Sequence, residues 1–303
     1  MKLLVTGCEG QVALSLAERA HSFGIEVVLV GRPELDLAKA ATVEPAIIRH
    51  RPDVIVSAAA YTAVDKAEAE AELAHRVNGE GAGLLARAAA NLDIPIIHLS
   101  TDYVFDGSGT HAWRESDAVA PLGVYGCSKL RGEIAVAQNQ PLHVILRTSW
   151  VYSPFGNNFV KTMLRLAETR DVVGVVDDQV GNPTSALDIA DAVIRVAANL
   201  LEDASPARLG IFHMTGTGST SWAGFAQEVF AHANELSMPV ASVRAITTAE
   251  FPTPAKRPAN SKLDCERLAG SHGVVMPDWH MSVRTVVERL ATPTSADRAR
   301  TEG

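Results

Sequence analysis

Five short apolar runs in the first half of the chain limit what it can become: "KLLVTG" from Lys2, "EVVLVG" from Glu26, "DVIVSAAA" from Asp53, "IPIIHLSTD" from Ile94 and "HVILRTSWVY" from His143. Each is apolar at nearly every position rather than at alternate ones, the pattern of a strand covered on both faces. Between them lie stretches with helical spacing, over 12–23, 38–51, 70–91 and 125–138. Parallel strands need crossover connections, and helices that cross over cover both faces of the sheet. The expected fold class is therefore α/β, a doubly wound parallel sheet of the Rossmann type. Residues that bind or react are expected at the C-terminal ends of its strands.

After Trp150 the rhythm loosens. "DVVGVVDDQVGNPTSALDIADAVIRVAANLL" reads as a strand, a polar loop and a long helix, and "GIFHMTGTGSTSWAGFAQEVFAHAN" repeats that order. From Ser237 the chain is irregular and Pro-rich, with short helices near Leu263 and Val283. Residues 1–150 are thus expected to form the dinucleotide-binding domain, and 151–290 to finish the sheet and add a smaller substrate-binding lobe. The polar stretch 291–303 is expected to be a disordered tail.

Composition removes several function classes. A formal net charge of −8 argues against a nucleic-acid binder, which needs a basic footprint. Cys8, Cys127 and Cys265 have no metal-ligand spacing and are too few for a disulfide framework, so a reducing cytoplasm is the expected compartment. No apolar run is long enough for a membrane span. The ten histidines contain no H-x-x-x-H pair, and no metal site is assigned to them.

"VTGCEGQVALSLAERA" follows the first strand and opens the first helix. Gly7 and Gly10 let the backbone turn tightly and approach a pyrophosphate resting on the helix N-terminus, and Ala13 is small enough for close helix–strand packing. At the end of the second strand, where an NAD-specific fold places a carboxylate for the ribose 2′-hydroxyl, the chain has Gly31 and Arg32. A guanidinium there suits a 2′-phosphate; a plain surface arginine is the alternative. Asp36 and Leu37 are candidates for the adenine pocket.

The fourth strand ends "LSTDYVFDG", which delivers Ser100, Thr101 and Asp102 into the crevice. Those residues also favour caps and turns, but no helical pattern follows at once, so the functional reading is preferred. Tyr125 and Lys129 lie four apart at the start of the next helix and share one of its faces. None of the other three tyrosines has a lysine at that spacing. A phenol ordinarily titrates near pH 10 and trades protons poorly at neutrality, and a neighbouring ammonium favours its ionised form. The expected chemistry is reduction of a ketone, with Tyr125 protonating the oxygen, Lys129 tuning the phenol and bonding the nicotinamide ribose, and Thr101 fixing the carbonyl.

Together, Gly7-x-x-Gly10, Thr101 and Tyr125-x-x-x-Lys129 resemble the extended short-chain dehydrogenase/reductases, and within them the branch that reduces dTDP-4-dehydrorhamnose. The resemblance runs from Lys2 to about Val287 and is carried by "TGCEGQ", "SAAAYTAVDKAE", "STDYVFDG", "YGCSK", "RTSWVY", "NNFV", "DDQVGNPTSALDIA" and "RPANSKLD". It implies reduction of the 4-keto group of dTDP-4-dehydro-L-rhamnose by NADPH or NADH, with Thr101, Tyr125 and Lys129 catalytic. It also implies that Gly10, Gln11 and Val12 contact the pyrophosphate and that Ala60, Tyr61 and Thr62 lie along the nicotinamide. Thr101, Asp102, Tyr103 and Trp150 would hold the sugar nucleotide, with Asn158 and Arg257 toward its diphosphate. Two positions depart from the family pattern: Ser57 stands for the usual asparagine after the third strand, and Ala13 for the third glycine. Some members dimerise through magnesium held by several glutamates. No matching set is placed here, so Mg2+ is not assigned, while a homodimer stays among the expectations. Two alternatives share much of this pattern. One is a reductase of another nucleotide 4-keto-6-deoxy sugar. The other is a non-catalytic, dinucleotide-binding regulatory subunit of methionine adenosyltransferase, which would not need the complete Thr–Tyr–Lys set.

Overall fold

The computed structural model describes residues 1–292; the expected tail lies outside the described residues from position 293 on. Five strands, β1 (Lys2–Thr6), β2 (Glu26–Val30), β3 (Val54–Ser57), β4 (Ile96–Thr101) and β5 (His143–Thr148), join the strand Gly210–His213 in one six-stranded sheet. All its ladders are parallel, and the spatial order is β2, β1, β3, β4, β5, Gly210–His213. β3 and β4 are buried along their whole length, as their unbroken apolar runs require.

Each strand splits its side chains between two cores. Leu3, Val5, Val56, Leu99 and Leu146 pack with helix α1 (Gln11–Ser22) and with the long helix Ala186–Glu202. Leu4, Ile55, Ile96 and Ile145 face α2 (Ala40–His50) and the helices before and after β4. The helix Ala186–Glu202 and the strand Gly210–His213 both come from the second half of the chain, so the sheet is completed from beyond Trp150. A separate core, with Tyr152, Phe225, Val229 and Val283, holds the smaller lobe together.

The structure departs from the sequence reading in four places. The stretch 70–91 is not one regular helix: α3 (Val64–Ala67) and α4 (Ala71–His75) precede a π-helical segment, Arg76–Glu80, which runs into α5 (Gly81–Asn91). Such widened turns occur where a side chain is needed outside the regular ladder, and here the segment carries Asn78. The fifth apolar run is broken. β5 stops at Thr148, Trp150 takes a left-handed backbone at φ 49°, and Val151–Tyr152 pairs instead with Thr184–Ser185. The strand Val172–Val176 does not extend the main sheet but pairs with Ser242–Ile246. Lastly, a 3₁₀ turn, Asp102–Val104, does begin directly after β4.

α6 (Val124–Asn139) carries Tyr125 and Lys129 and lies against α5. Its first turn lacks an acidic side chain of its own, and Glu68 supplies one by accepting from the Val124 N–H at 2.9 Å. A Cβ built on Gly126 would sit 2.2 Å from the Tyr103 carbonyl oxygen, so glycine lets α6 press against the turn after β4. Among the described residues no helix is long and apolar enough to cross a membrane.

Candidate active site

The chain leaves β1, forms β2 on one side, then returns past β1 to β3, so the sheet's switch point lies between β1 and β3. Open α/β sheets bind ligands outside the strand ends at that point. A crevice of about 1100 Å³ opens there. It is lined by the glycine loop, Arg32, Asp36, Leu37, the stretch after β3, the end of β4, Tyr125, Lys129 and Trp150.

The glycine loop fits a pyrophosphate. Gly7 has φ 95° and donates its N–H to the Val30 carbonyl at 2.8 Å, which folds the loop across the end of β2. A Cβ built on Gly10 meets no protein atom within 4 Å. The first-turn N–H groups of α1 have no acidic side chain beside them, and such free donors favour a bound anion. Val12 lies in that first turn. The Gln11 amide points away from it: its oxygen accepts from Ser153 Oγ at 2.9 Å and from Asn158 Nδ2 at 3.0 Å. Asn158 also donates to the carbonyls of Ser153 and Phe155 and caps the helix Phe159–Ala167. Its side chain is committed to the protein and does not line the crevice, which corrects the placement expected for it.

Just past the end of β2, Arg32 is exposed on the crevice wall and, among the described residues, has no ion-pair or hydrogen-bond partner. Asp36 turns one carboxyl oxygen to the Ala38 N–H at 3.0 Å, and Leu37 belongs to the core beneath. After β3, the Thr6 hydroxyl accepts from the N–H groups of Ala58 and Ala59 at 3.0 and 2.9 Å. Asn78 then accepts from the Tyr61 N–H at 2.7 Å and donates to the Tyr61 carbonyl and to Ser128 Oγ. Thr6 and Asn78, neither foreseen, hold Ala60, Tyr61 and Thr62 along the crevice wall. The Tyr61 hydroxyl faces outward to Glu70 at 2.8 Å.

Thr101, Asp102, Tyr103, Tyr125, Lys129 and Trp150 meet in the crevice. The Thr101 hydroxyl donates to Asp102 Oδ1 at 2.9 Å and accepts from the Tyr103 N–H at 3.2 Å, and it lines the crevice together with the Tyr125 phenol. Thr101 is therefore a turn cap and a candidate catalytic group at once. Asp102 Oδ2 is buried with no hydrogen-bond partner, and burial pushes this carboxyl up to about 6, with the neighbouring Ser261 and Thr101 hydroxyls opposing. Tyr103 packs edge-on to Tyr125 at 5.5 Å.

The lysine is not where the sequence reading placed it. Lys129 Nζ donates to the Leu99 carbonyl at 2.7 Å and lies 3.3 Å from His98 Nε2. Burial draws its pKa down to about 8, with the Glu133 charge opposing. Tyr125 shifts the opposite way from expectation: burial and then the Asp102 charge push the phenol well above its ordinary value, and the neighbouring Thr101 hydroxyl offsets only part of that. Desolvation of a phenolate outweighs a cation that is already engaged elsewhere. In this structure Tyr125 holds its proton firmly.

Trp150 is half-buried: it lines the crevice and also packs against the core of the smaller lobe. Its ring stacks on Trp222 with centroids 3.6 Å apart, and a Cβ on Gly181 would lie 2.6 Å from it. Trp222 had no signal beyond its residue type. Arg257 bridges the lobes, donating to Asp65 at 2.7 Å and to the Tyr103 hydroxyl at 3.3 Å. Beneath the site Glu133 forms a buried two-pronged ion pair with Arg147, at 2.9 and 2.7 Å, and accepts from Ser100 at 2.5 Å. Among the described residues no cluster of three or more His, Cys, Asp or Glu side chains could hold a metal ion.

A Rossmann sheet with a glycine-loop anion site and a threonine–tyrosine–lysine set at the strand ends defines a protein of the short-chain dehydrogenase/reductase class. The chain belongs to the RmlD substrate binding domain family, whose profile matches residues 1–292. It is 52% identical over 290 residues to a dTDP-4-dehydrorhamnose reductase of Sinorhizobium fredii, covering 96% of this chain and 98% of that one. A dTDP-4-dehydrorhamnose reductase structure from Clostridium acetobutylicum superposes with a TM-score of 0.89 at 38% identity, covering 96% of this chain and 99% of the other. One from Bacillus anthracis, in complex with NADP, gives 0.88 at 33% identity over 95% and 99%.

Proposed function

We propose that this protein reduces the C4 ketone of dTDP-4-dehydro-L-rhamnose to dTDP-L-rhamnose, with NADPH or NADH as the reductant. The observation that carries the reading is the convergence of Tyr125 and Lys129, one helical turn apart on α6, with Thr101 at the end of β4, in a single crevice whose far end is the glycine loop. Family membership and the relatives' names supply the sugar nucleotide. In the proposed arrangement Gly10, Gln11 and Val12 offer backbone N–H groups to the pyrophosphate, Arg32 meets a 2′-phosphate, and Ala60, Tyr61 and Thr62 flank the nicotinamide. Asp102, Tyr103 and Trp150 hold the sugar, and Arg257 lies nearer the diphosphate.

When bound, the nicotinamide supplies hydride to the carbonyl carbon. Tyr125 gives its phenolic proton to the carbonyl oxygen as negative charge grows there, so the ketone becomes a secondary alcohol. The high proton affinity of the buried phenol keeps that proton in place until the oxygen needs it. The Thr101 hydroxyl, shared with Asp102 in the free protein, turns to the same oxygen and fixes its direction. The Lys129 ammonium stabilises the phenolate left behind. Asp102 Oδ2 is an acceptor awaiting a donor, which a sugar hydroxyl satisfies.

The test is sugar-dependent oxidation of NADPH, followed by absorbance, with the C4 configuration of the product read by NMR. No turnover of this sugar, or the opposite C4 configuration, would overturn the reading.

A further inference from the structure

His98 is the one histidine in the apolar runs that form β4, and it is 1% exposed. It sits directly opposite Ser57 in the parallel ladder between β3 and β4. One ring nitrogen, Nδ1, lies 3.0 Å from Ser57 Oγ, and the other, Nε2, lies 3.3 Å from Lys129 Nζ. An ammonium has three donors and no acceptor, so Nε2 must offer its lone pair. Nδ1 then carries the ring proton, and Ser57 Oγ accepts it. Burial, reinforced by the Lys129 charge, holds the imidazole well below its ordinary pKa, so the ring is neutral. Other groups facing Lys129 are the Leu99 carbonyl from β4 and the Glu133 carboxylate from its own helix.

We propose that His98, its tautomer locked by Ser57, is a positioning residue that aims the Lys129 ammonium through a neutral lone pair. The choice of residue has a physical reason. A carboxylate at this place would trap the cation in a buried ion pair and withdraw it from the phenol and the cofactor. An apolar side chain would leave a buried ammonium donor unpaired. A neutral imidazole directs the cation without neutralising it. The lock requires an acceptor at position 57, and the Ser57 oxygen supplies one. If Nδ1 lost that acceptor, the alternative tautomer would turn an N–H toward the ammonium.

The inference rests on the reductase reading, and the test separates the two. Wild-type turnover of the sugar nucleotide examines the reading alone. His98→Leu, Ser57→Ala and Lys129→Met, with the double variants, examine the inference as a thermodynamic cycle on kcat. His98→Leu is expected to lower kcat about ten- to hundred-fold, as for losing a hydrogen bond to a charged group, with the sugar's KM little changed. In the Lys129→Met background the same substitution should be silent, and His98→Gln, which keeps an acceptor near Nε2, should restore most of the rate. If His98→Leu fails to fold, Ser57→Ala carries the cycle, with a loss of a few-fold that vanishes once Lys129 is gone. Equal losses in both backgrounds would make His98 merely structural and overturn the proposal. A readout independent of turnover is the 15N spectrum of the His98 ring: a neutral ring protonated on Nδ1 is expected at pH 7, and protonation on Nε2 overturns the proposal whatever the substrate is.

Discussion

Glu133→Gln removes one charge from the buried network behind the site while keeping its shape. The Glu133 and Arg147 side chains are each 2% exposed, and both guanidinium bonds to the carboxylate are short. Arg147 Nη1 already lacks a partner, so the arginine has no second anion to turn to. Breaking such a pair from one side leaves an uncompensated buried charge and costs about 3–5 kcal/mol. At roughly 1.5–2 °C per kcal/mol for a chain of this length, the melting temperature should fall by roughly 5–10 °C. Replacing both partners by apolar residues, Glu133→Leu with Arg147→Met, should recover most of that loss, because no charge is then stranded. A kinetic effect accompanies the structural one. Glu133 is the group that holds the Lys129 pKa up against burial, so Glu133→Gln should move the alkaline limb of the kcat/KM profile to lower pH. Thermal melts and pH profiles of the single and double variants check both parts. A single variant that melts within about 2 °C of wild type, well short of the pair energy, would refute the account of the buried network.

Four further outcomes are expected. Tyr125→Phe should lower turnover by about 10²–10⁴-fold, with cofactor affinity nearly unchanged, because only the proton donor is deleted; retention of most of the rate would remove Tyr125 from the mechanism. The kcat/KM profile should rise through about 6 as Asp102 ionises and fall through about 8 as Lys129 loses its proton, with no phenol limb between them. Asp102→Asn should then abolish the acid limb. Trp150→Ala should raise the sugar's KM about two- to ten-fold more than the cofactor's, the worth of an aromatic contact; equal changes in both would place Trp150 outside the sugar site. Arg32→Asp should shift the kcat/KM ratio of NADPH to NADH toward NADH by roughly ten- to hundred-fold, and an unmoved ratio would exclude contact with a 2′-phosphate.

The sequence by itself determined the parallel sheet, the glycine loop at its head and the pairing of Tyr125 with Lys129. Those features are local: unbroken apolar runs report burial on both faces, and residues four apart on a helix share a face whatever surrounds them. Thr101 and Asp102 were legible for the same reason, since a parallel strand delivers its last residues to one edge of the sheet. Only the tertiary structure decided what those groups face. The direction of the Tyr125 shift depends on burial and on Asp102, and the partners of Lys129 are two consecutive residues of β4, 30 and 31 positions earlier in the chain. His98 read as an ordinary strand residue, and Ser57 only as a departure from a family pattern, until register set them opposite each other. Asn158 matched a family stretch, yet its amide is consumed by contacts with Gln11, 147 residues away. The break at Trp150 was hidden too, because nothing in "HVILRTSWVY" marks the residue whose backbone turns left-handed: it contains neither glycine nor proline. Local pattern reports which face a side chain occupies. Desolvation, charge and hydrogen-bond partners are set by atoms distant in sequence, and these fix the protonation states on which the proposed chemistry depends.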